Sequence, residues 1–137
     1  MKINWETDRS KAIIGETYIV TYEDGNGNRK VFWADDFDGE YFEWEKDNDM
    51  RYPDDFYNVV AFATLDEVDV NQLITDKVPT KWDYYIVLIK DEYSEGYGEY
   101  STEYSLNISD YDPRTNCWEF FDGCVIGWCE WPEPYKG

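Results

Sequence analysis

The sequence predicts a mainly β fold, with antiparallel sheets from two related four-stranded units and at most one or two short helices. Three observations carry this. Short runs of ring-bearing and β-branched residues recur between turn formers, one long stretch alternates along its length, and the whole pattern is stated twice. The units are expected at residues 1–68 and 69–137, within one compact body.

In chain order, TYIVTYEDGNGNRKVFWADDF is expected to form a hairpin, because Asp24-Gly25-Asn26-Gly27-Asn28 are residue types that tolerate positive φ in a tight turn. Gly39–Glu45 and Val59–Leu65 are short, ring-rich or apolar, and bounded by turn formers, which makes them the next two strands. The stretch DEVDVNQLITDKVPTK holds the expected helix, a turn or two over Val70–Thr75, closed before Pro79. Glu99–Ser109 alternates, so Tyr100, Thr102, Tyr104, Leu106 and Ile108 are expected to pack. Its other face, Glu99, Ser101, Glu103, Ser105 and Asn107, is expected to be wet.

The duplication is visible residue by residue. Tyr18-Ile19-Val20 is echoed by Tyr85-Ile86-Val87 at an offset of 67, and Val59-Val60-Ala61-Phe62-Ala63 by Val125-Ile126-Gly127-Trp128-Cys129 at 66. Between them, Phe42-Glu43-Trp44 resembles Trp118-Glu119-Phe120 at 76, so the internal loops differ in length while the ends keep register. Most of Tyr18, Val20, Val31, Trp33, Tyr85, Val87, Trp118, Val125 and Trp128 are expected inside. Tyr41, Trp44 and Tyr52 are expected outside.

Against 31 acids stand 12 bases, a formal net charge of -19, and both halves share the excess. Such a field repels nucleic acid and anionic membranes and attracts basic surfaces. With 20% aromatic residues the chain is far from the composition of a disordered acidic tail. The opening MKINWETDRSKAII lacks an apolar signal core, and no apolar run reaches membrane-spanning length, so a cytoplasmic protein is expected. Three cysteines without a C-x-x-C pair are expected to be reduced thiols.

Catalysis has little to work with. The chain has no histidine to activate a serine or cysteine, and neither G-x-S-x-G nor a phosphate-cradling glycine motif is present. Adjacent acids arise by chance at this density, so paired carboxylates signal no glycosidase. Asp24, Asn26 and Asn28, with Asp35 eleven residues after the first, echo a calcium loop. Arg29 stands where such a loop needs glycine, however, and a hairpin turn explains the run better. No enzyme activity, metal or cofactor is expected.

The surface itself is the candidate. Ala34–Phe56 holds ten carboxylates, six rings and two cations. Alternate residues of a strand project from one side about 6.6 Å apart, a spacing on the scale of phosphates along an extended nucleic-acid strand. Asp35, Asp36, Asp38, Glu40, Tyr41, Glu43, Trp44, Glu45, Asp47, Asp49, Asp54, Asp55, Glu99 and Glu103 are therefore the candidate partner-binding residues.

The ending VIGWCEWPEPYKG resembles the close of a short phage- and prophage-borne domain of unknown function, whose members tend to end in I-A-W-x-P-L-P-E-P-Y-K. Ile126, Gly127, Trp128, Pro132, Glu133, Pro134, Tyr135 and Lys136 match, as do Lys77-Val78-Pro79 before Tyr85-Ile86-Val87-Leu88; Glu130 and Trp131 depart. The resemblance implies a phage origin and no chemistry. Together with the acidity, it points to a nucleic-acid mimic that binds a basic nucleic-acid-handling protein of the host, such as a Cas or restriction nuclease, as small acidic anti-CRISPR and anti-restriction proteins do. An immunity protein against a basic nuclease toxin and an aromatic-lined small-molecule sponge are the alternatives.

Overall fold

A computed structural model of the chain describes residues 2–34, 36–43 and 58–137, the side chains of Glu43 and Glu95 excepted. The chain divides into two compact units, Met1–Val68 with Pro132–Gly137, and Asp69–Trp131. The C-terminal residues thus belong with the first unit rather than with the strand that precedes them.

In the first unit, β1 (Tyr18–Glu23) pairs antiparallel with β2 (Arg29–Ala34) on one side and β5 (Asn58–Thr64) on the other. Tyr18, Ile19 and Val20 are all buried, which is why this strand opens as an apolar run instead of an alternating one, and the polar Thr21 that follows is buried too. The β1–β2 turn closes as its composition predicts. Asp24 Oδ1 accepts the Asn26 and Asn28 amides at 2.9 and 3.0 Å, and the Asp24 amide donates to the Asn28 carbonyl at 2.9 Å. A separate ladder joins β3 (Asp36–Phe37) to β4 (Phe42–Glu43), so the sheet of the first unit has three strands, one fewer than the expected four.

The second unit is one antiparallel sheet ordered β8-β7-β6-β9, from β6 (Asp83–Gly96), β7 (Glu99–Asp112), β8 (Cys117–Trp118) and β9 (Val125–Cys129). Its core gathers Tyr85, Val87, Ile89, Tyr111, Trp118 and Trp128; that of the first unit gathers Tyr18, Val20, Ala34, Phe37, Phe42, Val59 and Phe62.

The two units are built alike down to the register. Val20 faces Phe62 as Val87 faces Trp128, and Ile19 faces Ala63 as Ile86 faces Cys129. Both ladders then skip one residue at the same place, between Thr21 and Tyr22 and between Leu88 and Ile89. An isolated bridge adds to each last strand, Glu6 to Phe62 and Ile74 to Trp128. The rings repeat as well. Tyr18 meets Phe62 edge-on at 5.1 Å and Phe42 at 5.9 Å, while Tyr85 meets Trp128 at 5.1 Å and Trp118 at 6.1 Å.

Other expectations change. The helical stretch is two single turns of 3-10 helix, Leu65–Glu67 and Val70–Gln72, the second capped by Asp69 Oδ1. Ile74 leaves it to pair with Trp128. Of the nine residues expected mostly inside, Tyr18, Val20, Tyr85, Val87, Trp118 and Trp128 are buried, as expected, and Val31, Trp33 and Val125 are half-buried. The clearest reversal is in β7, where Tyr100 and Tyr104 are 78% and 60% exposed. They stand in register with Ser94 and Lys90, whereas the core residues Val87 and Ile89 share the opposite face with Asn107 and Ser105.

Candidate functional site

β6 and β7 outrun their neighbours. The last backbone link from β6 to the β9 side is the Lys90 amide to the Cys124 carbonyl, 2.9 Å, and β8 meets β7 only at Tyr111 and Asp112. Beyond Lys90 and its partner Tyr104, the hairpin continues as a two-stranded arm through the pairs Asp91–Glu103, Glu92–Thr102, Tyr93–Ser101 and Ser94–Tyr100. Six residues, Asp91 to Gly96, make this about 20 Å long.

The arm is additional to the duplicated frame. Tyr18 pairs with Ala34, 16 positions on, whereas the equivalent Tyr85 pairs with Ser109, 24 positions on. The second hairpin is therefore longer by eight residues. One face of the arm carries Asp91, Tyr93, Glu99, Ser101 and Glu103; the other carries Glu92, Tyr100, Thr102 and Tyr104. Asp91, Glu92, Glu99 and Glu103 are all exposed. Side chains tie the arm together locally: the Tyr93 hydroxyl donates to Glu103 Oε1 at 3.1 Å, and Lys90 Nζ lies 3.1 Å from Glu92 Oε1. The hydrogen bond to Glu92, then the nearby charge of Glu92, holds the Lys90 ammonium above its usual range.

At the tip, Tyr97 and Gly98 both adopt positive φ, 52° and 77°, as the tightest hairpin turn demands. Glycine fits there without strain; a tyrosine costs roughly 1 kcal/mol. Tyr97 is fully exposed and so makes no packing contact that would offset this. Tyr97→Asn is accordingly expected to raise stability by about 0.5–1 kcal/mol in urea unfolding.

Of the residues nominated by sequence, Glu99 and Glu103 lie on the arm. Asp36 is half-buried in β3, opposite Glu43 in the ladder. Asp38, Glu40 and Tyr41 form the β3–β4 turn and are exposed. There the Asp38 carboxylate is engaged by its own turn: Oδ1 accepts the Tyr41 and Glu40 amides at 2.7 and 2.8 Å, which holds the acid below its ordinary range. Asp35, Trp44, Glu45, Asp47, Asp49, Asp54 and Asp55 lie outside the described residues, as does Tyr52. Asp91, Glu92, Tyr93, Tyr97, Tyr100 and Tyr104 were not nominated. The signal for them was the run DEYSEGYGEYSTEY, ring and acid interleaved about a Gly-Tyr-Gly turn.

A second carboxyl feature sits at the base of β7. Asp110 is buried, its carbonyl accepts the Glu119 amide at 3.0 Å, and a hydrogen bond to the Asp110 carboxyl, reinforced by its charge, raises Glu119 above the ordinary glutamate range. The folded chain therefore holds this proton more tightly than the unfolded one. Its contribution to stability is complete below the usual value of 4.5 and is lost as pH rises through the elevated value. Glu119→Gln is expected to flatten that slope in urea midpoints measured across the acidic range. Asp24, Asp38 and Asp112, all lowered, act with the opposite sign: their contributions disappear as pH falls through their depressed values.

Among the described residues, no three acidic or thiol side chains gather as a metal would require, and no helix is long and apolar enough to cross a membrane. The three cysteines are free thiols, and burial pushes Cys129 up to about 11. Near neutral pH that sulfur is not a thiolate nucleophile. No known protein family, no curated protein and no solved structure matches the chain.

Proposed function

We propose that this protein is a non-catalytic inhibitor that lays its acidic surface, led by the β6–β7 arm, into the cationic nucleic-acid-binding surface of a host defence nuclease of the CRISPR or restriction kind. The observation that carries the reading is the eight-residue extension. Among the described residues it adds none to either core cluster, yet the arm it creates, with Tyr104 at its base, carries four exposed carboxylates and four exposed tyrosines on one narrow ribbon. Carboxylates on such a scaffold meet lysine and arginine where phosphates otherwise would, and tyrosine faces accept guanidinium groups and fill the space of bases. The net charge of -19 speeds the encounter at low salt. The resemblance of the ending to that of a phage-borne domain is in keeping with a bacterial cytoplasm as the setting and a defence enzyme as the target.

The test is competition. Purified restriction and CRISPR nucleases are titrated with labelled substrate DNA in the presence of the intact protein, at about 50 mM and about 500 mM salt. Displacement of DNA at low salt, weakened at high salt, supports the proposal. Simultaneous binding of both, or no binding across the panel, overturns it.

A further inference from the structure

We infer that the arm takes up an extended, lysine- or arginine-bearing segment of its partner as an added strand along the outer edge of β7; this rests on the function proposed above and specifies how the contact is made. The backbone geometry shows where an added strand would bond. In an antiparallel ladder alternate residues direct both N–H and C=O away from the partner strand. Asp110 is one of these, since its carbonyl accepts the Glu119 amide on the side away from β6. Ile108, Leu106, Tyr104, Thr102 and Tyr100 share its parity. Lys90, the partner of Tyr104, confirms the phase by sending its own amide away from β7 to Cys124. Along Tyr100–Tyr104, no strand of the described residues lies beside this edge.

A strand docking there places its side chains in two rows. One row falls against Glu99, Ser101 and Glu103, the other against Tyr100, Thr102 and Tyr104. Cross-strand complementarity then asks for cations in the first row and for β-branched, aromatic or arginine side chains in the second. A second copy of this chain is a poor occupant, because it would set one acidic arm against another at a net charge of -19 each. The charges that keep the edge from pairing with itself are the ones that recruit a cationic strand.

Amide exchange on the intact protein tests this directly, with the peptide acetyl-KVKVKVKV-amide as probe and acetyl-KKVVKKVV-amide as its isomer. The alternating peptide is expected to slow exchange at Thr102 and Tyr104 at least tenfold, while Ser101 and Glu103, already bonded to β6, change little. Thr102→Pro removes the outward donor and no bond of the β6–β7 ladder. It is expected to abolish that protection and to weaken nuclease binding at least tenfold, with Thr102→Ala near wild type. Failure of the alternating peptide to protect these amides, equal protection by the isomer, or full nuclease binding by the proline variant overturns the added strand. The last result, with DNA still displaced, would leave the proposed function standing.

Discussion

Trp128→Ala is expected to lose about 3–5 kcal/mol of stability, a large part of what a domain of this size has. The indole packs edge-on against Tyr85 at 5.1 Å, and its Nε1 donates to the Lys77 carbonyl at 2.7 Å. Truncation opens a cavity and strips that carbonyl of its donor, two penalties that add. The duplicated frame supplies a sharper comparison. At the equivalent position the first unit has Phe62, which makes the same 5.1 Å contact with Tyr18. Trp128→Phe keeps a ring of the type this frame already accepts and is expected to cost about 1–2 kcal/mol. Urea midpoints of the two variants decide it: equal losses would mean that the hydrogen bond to Lys77, not the ring, holds the strand.

The triple reversal Asp91→Lys, Glu99→Lys and Glu103→Lys is expected to weaken DNA-competitive binding to the nuclease about a hundredfold at low salt. All three side chains are exposed and occupy one face of the arm, so the change inverts the field of that face with little disturbance beneath it. Melting should stay within a few degrees of wild type, since fewer like charges offset the loss of the Tyr93–Glu103 hydrogen bond. Reversing the β3–β4 turn is a less clean experiment. Asp38 accepts two amides of its own turn, so a lysine there damages local structure along with charge. Undiminished binding by the arm triple at about 50 mM salt would remove the arm from the interface.

The frame was legible because buried central strands are constrained on both faces. Tyr18-Ile19-Val20 and Tyr85-Ile86-Val87 must be apolar throughout, and the strands that pair with them inherit matching demands at Phe62 and Trp128, so both halves show the same letters. The arm was not legible, for a reason of the same kind. Alternation along Glu99–Ser109 is compatible with one face packed and equally with neither face packed, because period two describes the pleat and not what lies against it. Tyr100 and Tyr104 therefore looked like core and stand in solvent. What distinguished them was the surplus length of the second hairpin, which appears only when the two units are aligned through their paired residues. The local role of Asp38 was hidden for a third reason: in a dense acidic run, nothing in the letters says which carboxylate also accepts the amides of its own turn.

The shared skip in register carries a hazard during folding. β9 offers β1 the same phase and the same interruption as β5 does, so a nascent chain can zip Val20 onto Trp128 in place of Phe62 and trap a cross-matched half. Bulk opposes the exchange, an indole where a phenyl belongs. Slow refolding phases should therefore grow in Phe62→Ala, which weakens the correct partner and leaves its competitor intact, and tandem halves made more alike should misassemble more.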